Sequence, residues 1–291
     1  MFVSLILNIS ITILVIHITY KEIMITVANM KEYLYCPEKL SLRLENLDIQ
    51  TEAQISGKIS RKAFKGFNEI VKRNLWSLNG EMGIKEILNQ LFKDIPTFLD
   101  TIHNQYYDEG IEDPTKMFEC LKDDLRFNSW LIAIKAQKLL KNGINGSEAI
   151  KILYPPSFLE FKIENKEVGL KGMIDRIEII DGIYYPVVIQ TSLPPLNGVW
   201  ESDAIQTSAY SYLMEGEFNK TVPVGFVDYI KVGSKQPVVN STMLNKKFIQ
   251  IFEKLAEMIY DGKKPEICIN VNKCRSCEFS EICSYCDQHL L

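Results

Sequence analysis

Four cysteines crowd into residues 274–286, as "CRSCEFSEIC" followed by Cys286, and a fifth, Cys36, lies far upstream in "YLYCPEKL". Thiolates are soft ligands suited to zinc or iron–sulfur clusters. A local zinc site of Cys274, Cys277, Cys283 and Cys286 is one reading, although its five-residue middle spacer is shorter than the usual knuckle spacing. Three clustered cysteines joined by a remote one around a cubane is the other, and spacing alone leaves the two close to even. Unligated thiols in a reducing cell are the third. Elsewhere, "GMIDRIEIIDGIYYPVVIQT" (172–191) places Asp175 between apolar neighbours on one strand of a hairpin turned at Asp181-Gly182. Standing alone, Asp175 beside Arg176 reads as an ion-paired aspartate. Gln206 and Tyr210, one helical turn apart, read as core-edge residues, and Asp203 shares their face.

Composition narrows what this chemistry can be. Of 291 residues, 46% are hydrophobic and 24% charged, enough for a packed core, and the net charge of −4 excludes a generally basic coat while allowing a local basic groove. Three histidines (His17, His103, His289) leave little for Ser-His, Cys-His or multi-His zinc enzymes. Seven cysteines, an odd and clustered number, argue for ligation in a cytoplasmic setting over a disulfide framework. Residues 2–20 are uncharged and apolar, with no preceding Lys or Arg and no small-residue cleavage site following. The favoured expectation is that translation starts at Met24; a membrane anchor keeping the rest cytoplasmic, or a buried element, are the alternatives.

The elements that must position these groups follow from periodicity. Residues 28–46 read as a helix broken near Cys36-Pro37, and 51–76 as a long amphipathic helix with Ile55, Ile59, Ala63, Phe67 and Ile70 inward. Residues 81–142 read as all-helical, and "NGINGSEAI" and "YPPS" as punctuation. Strands follow in "FLEFKIE", "VGLKGMIDRIEII" and "IYYPVVIQT", then a helix at 200–214, "VPVGFVDYIKV", a short strand, a helix at 243–261 and the cysteine tail. The order is that of an α/β fold, divided into an apolar extension (1–23), N-terminal helices (24–78), a helical insertion (79–156), a core (157–265) and a cysteine-rich tail (266–291). On the 51–76 helix Lys58, Arg61, Lys62 and Lys65 form a stripe, a solvated face unless it borders a phosphate. Tyr33, Tyr35, Trp200 and Tyr210 could stack bases if not packed inside. Glu160 and Glu164 alternate on one strand face and are expected in solvent.

Six segments in order, "MITVANMKEYLYCPEKL", "GKISRKAF", "GMIDRIE", "PVVIQT", "QTSAY" and "CRSCEFSEIC", resemble the CRISPR-associated RecB-like exonucleases, the "Cas four" family of the PD-(D/E)XK nuclease superfamily. The resemblance covers about residues 24–78 and 157–286. It implies a mixed sheet flanked by helices, with Mg²⁺ or Mn²⁺ beside single-stranded DNA. It also implies a [4Fe–4S] cluster on Cys36, Cys274, Cys277 and Cys283, with Cys286 spare and Cys120 and Cys268 in the core. The chemistry of such enzymes needs an aspartate on one strand, a Glu-x-Lys on the next and a histidine, so that a metal activates water and steadies the phosphorane charge.

Asp175 matches that aspartate, and Gln206 and Tyr210 match the Q-x-x-x-Y helix, but Val188 stands for the glutamate, Gln190 for the lysine and Arg61 for the histidine. A β-branched valine suits a strand and cannot coordinate a cation. The leading expectation is a degenerate site that binds single-stranded DNA or DNA ends, with CRISPR integrase proteins as partners, and leaves Mg²⁺ or Mn²⁺ binding in doubt. Two alternatives stand beside it: an active exonuclease in which Asp203 has become the second carboxylate, and a zinc-stabilised helical interaction protein.

Overall fold

A computed structural model describes residues 24–45, 49–107 and 110–286; the N-terminal apolar run lies outside the described residues. Among these, no helix is long and apolar enough to cross a membrane. The order is β1 (Ile25–Thr26), α1 (Val27–Tyr35), α2 (Pro37–Leu44), α3 (Glu52–Leu75), α4 (Ile84–Phe92), α5 (Ile95–Tyr106), α6 (Pro114–Lys141) and α7 (Gly146–Leu153). Then come β2 (Ser157–Asn165), β3 (Leu170–Ile180), β4 (Ile183–Gln190), α8 (Glu201–Phe218), β5 (Val224–Tyr229), a 3₁₀ turn at Ile230–Val232, β6 (Ser234–Val239), α9 (Thr242–Tyr260) and α10 (Val271–Arg275).

The break at Cys36 has a local cause. Cys36 is extended, ends α1 by donating its N–H to Glu32, and precedes Pro37 at the first turn of α2, where proline lacks only an N–H the helix would leave unpaired. Helix α3 starts in a capping box, Thr51 with Gln54, and buries Ile59, Ala63 and Phe67. The segment read as punctuation around "NGSEAI" is instead helix α7, opened by Gly146 at φ 53°. The glycine that signalled a turn marks a helix start.

The six strands run β1–β3–β4–β5–β6, with β2 on the other edge of β3. Antiparallel β2 pairs residues 170–178 of β3, so β1 and β4 must share the opposite edge. There β1 pairs Leu170 and Lys171 in parallel, and β4 pairs Arg176 through Ile180 antiparallel. Residues 172–175 lie between the two, and β4 runs on to Gln190 paired only with parallel β5. The sheet therefore forks beside Asp175. Opposite it, Glu160 of β2 has φ 52° and interrupts the otherwise regular register between Leu159–Arg176 and Phe161–Ile174. The hairpin turn is as read, with Asp181 and Gly182 both at positive φ.

Two apolar layers flank the sheet. Val188, Ile174 and Ile177 share one core with Met30 of α1, Ile205 and Ala209 of α8 and Phe248 of α9. Helices α3–α7 form a second core around Phe67, Leu91 and Leu125, against which Ile189 packs. Successive residues of β4 thus serve opposite layers, as the pleat requires.

Candidate functional site

At the fork a continuous polar chain crosses from α3 to the N-terminus of α8. Asp175 Oδ1 accepts from Arg61 Nη1 at 2.7 Å, and Asp175 Oδ2 accepts from the backbone N–H of Ile189 at 2.8 Å. The carboxylate takes the place of the ladder bond lost where β3 and β4 part. Arg176, the neighbour expected to pair with it, instead bonds Asp228 at 2.7 Å and faces Glu178. Asp175 is ion-paired, but to a residue 114 positions away.

The next residue of β4 carries the chain onward. Gln190 Oε1 accepts from Lys31 Nζ at 2.9 Å, and its amide donates to Gln206 at 3.3 Å. Lys31 also donates to Asp203 Oδ1 at 2.9 Å, while Tyr229 Oη donates to Asp203 Oδ2 at 2.9 Å. Asp203 is 3% exposed and Lys31 36%. Tyr210 donates to the carbonyl of Met173 at 2.9 Å; burial raises its pKa to about 12 against the lowering contact with Gln206, with Asp175 and Arg61 also within its field. Gly172 makes this possible, because a Cβ there would stand 2.7 Å from the Tyr210 ring.

The sequence-identified residues Asp175, Gln190, Gln206, Tyr210, Asp203 and Arg61 are brought together; Val188 is fully buried in the α8-side core. Asp203 is no open carboxylate, since both its oxygens are bonded and it is buried. Tyr210 is buried and has no free face for a base, whereas Trp200 is half exposed. Tyr33 is half-buried, and Tyr35 is engaged through its hydroxyl with the Lys273 carbonyl. The basic stripe is exposed but occupied: Lys58 donates to Gln50, Lys62 to Gln105 and Tyr106, and Lys65 pairs with Glu160 at 2.9 Å. Glu160 and Glu164 are exposed as expected. Lys31 was missed by sequence reading. Its one signal is that it is the only basic residue of α1, in "VANMKEYLY".

The second cluster is the cysteine cavity. Cys36, Cys274, Cys277, Cys283 and Cys286 line one pocket between α1–α2 and the tail, with Cys268 on it too. Cys120 and Cys268 are exposed, so neither is the core residue expected; each belongs to a segment whose apolar face is made by its neighbours. Cys286 is buried against Cys274 and Cys283, and burial pushes its thiol up to about 12; burial also raises Cys277. Among the described residues no group of three or more His, Cys, Asp or Glu is arranged to hold a metal ion. The tail is fixed by ordinary contacts. Glu278 pairs with Lys39 at 2.9 Å and with Arg43, and accepts from Gln54 at 2.9 Å. Burial opposes its charge, but Lys39 and Gln54 outweigh that and hold its carboxyl below the usual range. Lys273 donates to the Tyr35 carbonyl at 3.0 Å.

A forked mixed sheet with an aspartate at the fork and a Gln-x-x-x-Tyr helix against it is a nuclease scaffold. The chain belongs to the PD-(D/E)XK nuclease superfamily, whose model matches residues 26–284. Among curated proteins it is similar to a CRISPR-associated exonuclease Cas4/endonuclease Cas1 fusion of Leptospira interrogans serogroup Icterohaemorrhagiae serovar Lai (strain 56601). The identity is 22% over 127 residues, 42% of this chain and 24% of the relative's length. The crystal structure of SSO0001 superposes with a TM-score of 0.34 at 16% identity, over 79% of this chain and 98% of that one, a likeness too low to transfer any residue.

Proposed function

We propose that this superfamily member binds single-stranded DNA or DNA ends in CRISPR spacer acquisition, beside integrase proteins, without efficient cleavage. The observation that carries this is that both oxygens of Asp175 are engaged within the protein and no second carboxylate stands at the neighbouring strand position. One of its oxygens holds Arg61 and the other a backbone N–H, and its partner position is the buried Val188. Mg²⁺ demands near-octahedral oxygen ligation and gives up its waters reluctantly. A carboxylate already neutralised by a guanidinium offers it little. Similarity to a Cas4/Cas1 fusion supports the CRISPR setting, and the exposed Lys58, Lys62 and Lys65 supply phosphate contacts.

The cysteine cavity fits a [4Fe–4S] group by its donor chemistry. Thiolates from Cys36, Cys274, Cys277 and Cys283 would hold it, and its role would be to staple the tail to the N-terminal helices. Cys286, also in the cavity, would remain a spare thiol.

Two measurements test this reading. Anaerobically purified protein should be brown, with iron and acid-labile sulfide that Cys36→Ser removes. A colourless protein with one zinc, indifferent to Cys36→Ser, contradicts the cluster. Labelled single-stranded DNA should be retarded by the protein and recovered intact after incubation with Mn²⁺. Efficient cleavage lost in Asp203→Ala would favour the relocated-carboxylate enzyme instead.

A further inference from the structure

Each aspartate of the fork is engaged by a cation, and those cations keep spare donors. Both oxygens of Asp175 and both oxygens of Asp203 carry hydrogen bonds. The cations opposite them are not exhausted. A guanidinium has five N–H donors and an ammonium three, and Arg61 gives one to Asp175 while Lys31 gives one each to Gln190 and Asp203. Both remain wet, Arg61 at 41% and Lys31 at 36% exposure. They are also linked: Asp175, which holds Arg61, takes the N–H of Ile189, and the adjoining Gln190 takes Lys31. Two solvent-accessible cations are thus pinned by carboxylates at neighbouring points of one strand end. Fixed, partly hydrated cationic donors with unused N–H groups form charge-assisted hydrogen bonds with anionic oxygens.

We propose that Lys31 and Arg61 form a phosphodiester cradle that needs no divalent metal, with Lys31, reaching over from α1, as its second cation. This rests on the DNA-binding reading above and adds to it both the residue and the metal independence. In this cradle Asp175 and Asp203 act as anchors that fix the cations. Fixing lowers the side-chain entropy lost when a phosphate arrives, since both long side chains are ordered beforehand.

The test is the affinity of a fluorescent oligothymidylate, titrated against salt in EDTA and in Mg²⁺. Wild-type affinity should be the same in both. Because Lys31→Met alone strands the buried Asp203, the comparison is between Asp203→Asn and the Lys31→Met/Asp203→Asn double variant, each checked for folding by circular dichroism. The double variant should bind roughly tenfold more weakly than Asp203→Asn. It should also lose about 0.7 from the slope of log affinity against log salt, the value of one phosphate contact on a single strand. Adding Gln190→Lys to the double variant should restore both, because that side chain starts beside the position of the Lys31 ammonium. A purely structural Lys31 would leave the slope unmoved. Equal slopes and affinities with and without Lys31 overturn its assignment, and binding abolished by EDTA overturns the metal independence. A wild-type protein that binds no single-stranded DNA overturns the reading on which both rest.

Discussion

At the scale of single residues, burial decides which polar contacts matter. Arg61 and Asp175 are both solvent-accessible, and exposed ion pairs contribute about 0–1 kcal/mol. Lys31 is itself partly exposed but bonds an aspartate that is 3% exposed, and depriving a buried acceptor of a charged donor costs about 1–3 kcal/mol. Urea denaturation should therefore show Arg61→Ala within about 1 kcal/mol of wild type and Lys31→Met about 1–3 kcal/mol below it. Tyr210 sets a pH dependence. Its folded pKa is raised by burial from 10.0 to about 12, so the folded state holds the proton more tightly than the unfolded chain. That contribution is complete below pH 10 and is lost as pH rises toward about 12. Alkaline denaturation followed by circular dichroism should show a decline across this window that Tyr210→Phe makes shallower. The sequence identified Asp175, Gln206 and Tyr210 as neighbours and the loss at Val188 and Gln190. It was silent on Lys31 because the contact spans 159 residues and its one local mark is that it is the sole basic residue of α1.

At the scale of elements, the fork depends on a close approach. A methyl group at residue 172 would meet the Tyr210 ring at 2.7 Å and the Val27 side chain at 3.1 Å, so α8 and β1–α1 cannot both keep their seats. Gly172→Ala should lower stability by about 1–3 kcal/mol, the usual cost of overpacking, and thermal melting would measure it. Most elements were legible from period and punctuation. The long apolar-periodic helices, the alternating strands and the Asp181-Gly182 turn all carry local signals. β1 did not, because two residues are too few to show alternation and it exists only through pairing with β3. Helix α7 was hidden for the opposite reason, its glycine and asparagine reading as a loop when they start a helix.

At the scale of the molecule, the two ends of the chain are held together by charge as well as by the cysteine cavity. Glu278, between Cys277 and Phe279, is tied to Lys39 and Arg43 of α2 and to Gln54, which also closes the capping box of α3. Glu278→Ala leaves Lys39 and Arg43 with Glu32 as a remaining carboxylate and should cost about 1–3 kcal/mol, the range for lost hydrogen bonds to a charged group. It should also raise the susceptibility of the 266–286 segment to limited proteolysis while α3–α7 stay resistant. The same α3 carries Arg61 to the fork, so the cysteine tail and the fork are both tied to one helix.

Asp175 is paired with Arg61 and stands beside Val188, so this part of the fork offers a divalent cation a single, already engaged carboxylate. Titration of Mn²⁺ into the wild-type protein, followed by electron paramagnetic resonance of the free ion, tests it directly. The same free Mn²⁺ signal is expected for wild type and Asp175→Ala, since Asp175 pairs with Arg61 and with the Ile189 N–H instead of holding a cation. Stoichiometric Mn²⁺ uptake by the wild type that disappears in Asp175→Ala would contradict it.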